Sequence, residues 1–204
     1  MTSIFKGFVF LLALAHAGCS QLAMQTASVG ATVSMDRRTA GAQLDDQAIQ
    51  LKAAAALAEA MSVTNNVYVA SYNRQVLLTG EVSDQARREL SERLVRRIEN
   101  VRAVYNEISV ANSASMMQLG EDVYLAARLR AAFFEAPDLS YSAFRVVTTA
   151  RVVYLMGCVT SRESDRAVQV IRRVKGVSRI VKALDLISEE ELAQLSQQGC
   201  SGGR

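Results

Sequence analysis

Apolar residues recur with one spacing at two places in the chain. In DDQAIQLKAAAAL they are Ile49, Ala53, Ala56 and Leu57, and in EDVYLAARLRAAF they are Leu125, Leu129, Ala132 and Phe133. The interval i, i+4, i+7, i+8 is one face of an α-helix. Behind each helix the period changes. VYVAS and QVLLTGEVS in the first copy, and FRVVTT and VVYLMGCVT in the second, are short Val-rich runs separated by turns. Such runs read as hairpins. Asn73-Arg74 and Ala150-Arg151 fall in the turns. Gly80 and Gly157 occupy the same place in the two second strands, where a glycine marks a bulge or the close approach of another backbone.

A second helix follows in each copy, opened by Ser83-Asp84 or by Ser161, residue types that cap helix N-termini. Its expected buried face is Leu90, Leu94 and Ile98, or Ala167, Ile171 and Val174. NVRAVYNEISV and GVSRIVKALDLI then supply a turn and a last strand. The order helix-strand-strand-helix-strand, met twice, predicts an α+β protein of two tandem αββαβ domains, residues 45–110 and 121–187. Residues 111–120 read as a linker. Residues 188–204 read as a helical tail with a capping box of Ser188 and Glu191, a staple of Ile187 and Leu192, and a stop at Gly199.

The start of the chain is different. The apolar run from Gly7 to Ala15 is shorter than the about 20 residues that a membrane-spanning helix needs. Lys6 precedes it and small residues follow, the layout of a secretory signal peptide. The stretch resembles the bacterial lipoprotein signal, in which cleavage after a small residue leaves an acylated cysteine first. That implies a signal over residues 1–18 and lipidation at Cys19. His16 stands where that signal usually has Leu, and an ordinary signal peptide cut elsewhere is the alternative. More than one acyl chain is needed for stable anchoring. Residues 19–44, rich in Ala, Ser, Thr and Gly, read as a flexible tether, part of which could dock as an edge segment.

His16 is the one histidine of the chain. Its loss with the signal leaves neither a Ser-His-Asp nor a Cys-His nucleophile pair, and no His-ligated metal. No metal site or cofactor is expected. Cys158 and Cys200 remain, either as a periplasmic disulfide or as two free thiols. The acidic groups Asp45-Asp46 and Glu189 to Glu191 sit where helix N-termini favour negative charge, so they need no catalytic role. The formal charge of +3 is mild. Its distribution is not, because seven basic and two acidic residues lie between Arg162 and Lys182. Arg87 to Arg102 holds six basic and three acidic residues and reads as a solvated helix face.

QVLLTGEVS with NVRAVYNEI, and VVYLMGCVT with KGVSRIV, resemble the BON domain. Its pattern is an apolar strand ending near Gly-x-Val, a helix, then Gly-Val-x-x-Val. Gly80, Val82, Val101 and Val104 fit the first copy; Gly157, Val159, Gly176, Val177 and Ile180 fit the second. Asn100 replaces the second glycine of the first copy, and Asn tolerates the left-handed backbone. The resemblance implies a three-stranded sheet packed by two helices in each domain. It also implies a non-catalytic protein associated with anionic phospholipid and envelope integrity, lipid-anchored at the periplasmic face of the outer membrane.

The second domain is the expected membrane contact. On its first helix Tyr124, Ala127, Arg128 and Ala131 oppose the core face, with Arg130 at the flank. A tyrosine beside arginines suits a headgroup interface. The first domain has Ala48 and Lys52 at the matching places and no aromatic. Packing of Tyr124 on the linker or first domain is the competing reading. A second function is an adaptor for outer-membrane assembly proteins, through these units or Tyr105-Asn106-Glu107. Nucleic acid is not expected, since few stacking aromatics lie in the basic stretches. The protein is expected to be a monomer.

Overall fold

The computed structural model describes residues 36–60, 66–111 and 116–200. All of the expected signal, Cys19 and most of the expected tether lie outside them. The first domain comprises α1 (Ala40–Ala60), β1 (Asn66–Tyr72), β2 (Gln75–Val82), α2 (Gln85–Arg96), β3 (Ala103–Asn106) and β4 (Ser109–Val110). The second comprises α3 (Met116–Phe134), a 3₁₀ turn (Tyr141–Ala143), β5 (Phe144–Thr149), β6 (Val152–Thr160), α4 (Ser161–Arg172) and β7 (Arg179–Ile187). The tail helix is α5 (Glu189–Gln198). Both domains are αββαβ, as the doubled pattern predicts.

In each sheet the second strand is central. β2 pairs antiparallel with β1 and parallel with β3 and β4, while β6 pairs antiparallel with β5 and parallel with β7. Successive strand residues face opposite sides. Val76, Leu78 and Val82 therefore meet Ile49, Ala53 and Leu57 of α1, and Val95 of α2, in one core. Val153, Leu155 and Val159 meet Leu125, Leu129 and Phe133 of α3, and Ile171 of α4, in another. The alternate residues face the other sheet. Ala70, Tyr72 and Leu77 pack with Tyr154, Met156, Cys158 and Ala183 in a third core between the domains. β2 and β6 are thus covered on both faces, which explains the nearly unbroken apolar sequence of β6 and the consecutive apolar residues Val76, Leu77 and Leu78 of β2. Burying each such side chain contributes about 1.5–3 kcal/mol.

Several boundaries differ from expectation. α1 begins at Ala40, five residues before Asp45, with the Ala42 N–H bonded to the Thr39 hydroxyl at 3.0 Å. Asp45 and Asp46 are therefore inside the helix, not at its positive end. α3 begins at Met116, within the expected linker. Thr160, one residue before Ser161, caps α4, because its hydroxyl and the Glu163 carboxylate close a reciprocal capping box. In α2 it is Val95 and Ser91 that are fully buried, while Leu90 is only half-buried. The Ser188–Glu191 capping box and the Gly199 stop of α5 form as expected.

The hairpin turns use left-handed residues: Asn73 and Arg74 at φ 51° and 64°, Ala150 and Arg151 at φ 50° and 61°. That is the two-residue turn whose twist matches paired strands. A helix carboxylate holds each one. Asp46 accepts the N–H of Asn73 at 2.7 Å and of Arg74 at 2.8 Å. Asp122 accepts those of Ala150 at 2.7 Å and Arg151 at 2.9 Å.

Candidate functional site

The outer face of α3 is built by its own periodicity. With Leu125, Leu129 and Phe133 turned inward, residues three or four apart on the other side line up in solvent. Tyr124 is 67 % exposed and Phe134 is 71 % exposed. Leu119 and Val123 are exposed on the same helix. Tyr124 stands mostly in solvent. Its ring has the Arg128 guanidinium 5.7 Å from its centroid. That guanidinium also donates to the Lys175 carbonyl at 2.8 Å, tying α3 to the turn after α4.

Arg130 is exposed, and its Nε donates to the Tyr141 hydroxyl at 3.4 Å. This bond raises the affinity of the guanidinium for its proton. The Tyr141 ring stacks on Phe134 at 5.6 Å, so aromatic rings and an arginine also mark the C-terminal end of α3. Between α3 and α4 runs a groove of about 390 Å³ lined by Arg128, Arg166 and Arg173, with Glu135 as its one acidic residue. Arg166 is held by Asp138 at 2.6 Å. Phe134, Val123 and Arg173 were not singled out by sequence. The available signal for the apolar pair was that neither lies three or four positions from Leu125, Leu129 or Phe133, whereas Arg173 reaches this groove only through the packing of α4 on α3.

The basic stretch of the first domain is engaged differently. Arg87, Arg93 and Arg96 pair with Asp84, Glu89 and Glu92 along α2. Lys52 lies 3.9 Å from Glu99. Tyr105, Asn106 and Glu107 are taken up within the chain. Asn106 donates to the Arg88 carbonyl at 2.9 Å, Glu107 receives Arg179 at 2.9 Å, and Tyr105 packs on the core between the sheets.

The three glycines serve the backbone. A Cβ on Gly80, at φ 111°, would collide with the Asn66 carbonyl, and one on Gly157 would lie 2.6 Å from the Ala143 carbonyl. Gly176 has φ 102° in the turn after α4, and Asn100 takes the equivalent left-handed position at φ 67°. Cys158 and Cys200 form a disulfide, with Cα atoms 6.3 Å apart.

Beside the disulfide, residues of the expected tether are fastened to the second domain. The Cys200 N–H donates to the Arg37 carbonyl at 2.7 Å. The Arg37 guanidinium makes two 2.8 Å bonds to Glu163 and one of 3.0 Å to the Cys158 carbonyl. Burial pushes the Glu163 carboxyl up, but Arg37 and the Thr160 N–H outweigh it and hold the group below its usual range. Arg38 bonds Asp46 at 2.7 Å and lies 4.4 Å over the Tyr72 ring.

Among the described residues no group of three or more His, Cys, Asp or Glu could hold a metal ion, and no helix is long and apolar enough to cross a membrane.

The BON domain family model matches residues 45–112 and 121–187. The chain is 28% identical over 167 residues to the outer membrane lipoprotein DolP of Haemophilus influenzae, covering 81% of this chain and 86% of that protein. It is 25% identical to a 21 kDa hemolysin of Actinobacillus pleuropneumoniae, covering 76% and 81%. It is 28% identical to the osmotically-inducible protein Y of Escherichia coli, covering 75% and 78%.

Proposed function

The chain belongs to the BON domain family, with two copies of the domain, and from that premise we propose a non-enzymatic, lipid-anchored module at the periplasmic face of the outer membrane. It binds anionic phospholipid through α3 and supports the integrity of the envelope. Similarity to an outer membrane lipoprotein over 81% of the chain supports the location. Acylation at Cys19 is the anchor in this reading.

The observation that carries the lipid contact is the exposure of Tyr124 and Phe134 on one helix face beside Arg128, Arg130 and the arginine-lined groove. Rings at the headgroup level bury their apolar edge and keep the hydroxyl wet. Basic residues near an anionic surface contribute roughly 1 kcal/mol each and lose that contribution with salt. α1 also exposes Leu44 and Leu51, but its own sequence carries no aromatic residue.

Cosedimentation of the full-length protein with anionic and neutral vesicles tests this. Wild type is expected to prefer anionic vesicles and to release them as salt rises. The double variant Tyr124→Ala, Arg128→Glu is expected to lose most of that preference. Equal binding by both proteins would sink the assignment. Crosslinking to one outer-membrane assembly protein, with no vesicle binding, would establish an adaptor instead.

A further inference from the structure

β7 is an edge strand. The order in its sheet is β5-β6-β7, and no other strand among the described residues pairs with its outer side. An unpaired edge presents a row of backbone N–H and C=O groups on which another chain can pair. The first half of the strand, Arg179 to Lys182, is exposed or half-buried, whereas Ala183 and Asp185 further along are buried.

A groove of about 690 Å³ lies between this half of β7 and α4. Its helix wall holds Asp165, Val168 and Arg172, one stripe of α4 at i, i+3 and i+7. Its strand wall holds Val177, Ile180 and Lys182. Val168, Val177 and Ile180 are half-buried at the margin of the second domain's core, so the floor is apolar and well supported. The rim is basic. Arg172, Arg179 and Lys182 stand against Asp165 alone. Arg179 is occupied by Glu107 at 2.9 Å. Arg172 and Lys182 are exposed and make no ion pair with any described residue.

We propose that this groove takes an extended acidic segment of a partner protein, which adds a strand to β7 and sets its carboxylates beside Arg172 and Lys182. In such strand addition, main-chain hydrogen bonds give affinity and alternate side chains give specificity. A peptide backbone brings donors and acceptors in the alternation an edge requires, and a phosphate headgroup brings acceptors only. Two copies of this chain joined edge to edge would set the same cations against each other. No residue of α3 lines the groove, so it is separate from the Tyr124–Arg128 surface.

Fluorescence anisotropy of the full-length protein with the labelled peptide Thr-Val-Glu-Val-Glu-Val-Thr tests the proposal. Three companions are a version with Lys for Glu and two versions N-methylated on alternate amides, one for each edge of the extended peptide. The acidic peptide is expected to bind at least tenfold more tightly than the Lys version. One N-methylated version is expected to bind like the parent and the other to lose binding, because only one edge of the peptide meets β7. Amide hydrogen exchange over residues 179–182 is expected to slow when the acidic peptide is bound. The double variant Arg172→Glu, Lys182→Glu, changed only at exposed positions, is expected to weaken the acidic peptide at least tenfold and to favour the Lys version. Failure of the acidic peptide to bind, equal binding of the Lys version, equal effects of the two methylation patterns, or unchanged exchange in β7 overturns the proposal. So does loss of anionic-vesicle binding in this double variant as complete as in Tyr124→Ala, Arg128→Glu, which would make the groove part of a lipid surface.

Discussion

Asp46 and Asp122 do one job in two domains. Each stands on the first helix and accepts both amides of a left-handed hairpin turn. Left-handed backbone costs a residue with a Cβ about 1–2 kcal/mol, and charged hydrogen bonds of about 1.5–3 kcal/mol each offset it. Asp122→Ala is expected to lower stability by about 3 kcal/mol, with Asp122→Asn in between, read from urea midpoints. Two glycines give opposite signs. Gly120 is in a helix with nothing within 4 Å of an added Cβ, so Gly120→Ala is expected to stabilise by about 1 kcal/mol. Gly80→Ala, which drives a Cβ into a backbone carbonyl, is expected to destabilise by more than that, read from the same urea midpoints. Glu163 sets a pH dependence. Its folded-state carboxyl lies below the usual 4.5, so its contribution is complete above that pH and is lost as pH falls through the lower, folded value. Glu163→Gln is expected to be less stable at neutral pH and to lose less between pH 5 and the acid limit; parallel curves would refute the Arg37 clasp. Little of this was legible in the sequence. Asp45-Asp46 reads as a helix-start pair, and only the earlier start of α1 at Ala40 puts Asp46 beneath the turn.

At the scale of elements, the helices and strands were nearly all legible, because each buries one face against one core and so shows its period. The misses share a cause. α1 and α3 extend beyond their apolar pattern where nothing in the sequence stops them. The start of α4 is one residue off because Thr160 and Ser161 are equally good caps by type, and only Glu163 selects between them. α3 carries the proposed lipid contact. Its inner face is set by Leu125, Leu129 and Phe133, which leaves Phe134 outside and stacked only on Tyr141. Phe134→Ser is expected to leave the melting temperature within a few degrees of wild type and to reduce binding to anionic vesicles severalfold. A large loss of stability would place Phe134 in the fold and not on the proposed lipid surface.

The two domains form one folded body from Arg37 onward. Their sheets share an apolar core, and one buried carboxylate knots them. Asp185 of β7 accepts from Asn73 at 2.9 Å, from Gln75 at 2.6 Å and from Arg102 at 2.5 and 2.6 Å, all three in the first domain. Removing one partner from such a cluster leaves a buried charge uncompensated, at about 3–5 kcal/mol. In calorimetry the wild type is expected to unfold in one transition and Arg102→Ala in two. The disulfide closes a separation of 42 residues and pins the tail beside Arg37. In the chain-entropy picture its loss in Cys200→Ser costs roughly 4 kcal/mol, measurable by denaturation with and without reductant.

The sequence by itself determined the doubled αββαβ order, the family resemblance, the inward faces of the helices and the residues able to take left-handed turns. All of these are local, written in spacing and residue type within a few positions. Tertiary structure alone decided that Cys158 meets Cys200 and that Asp46 and Asp122 serve hairpins rather than helix ends. It also decided that Arg37, within the expected tether, is held at Glu163. Each of these joins residues tens of positions apart, in contacts that exist only once two sheets have buried a common face. Periodicity along one segment carries no information about which other segment will cover it.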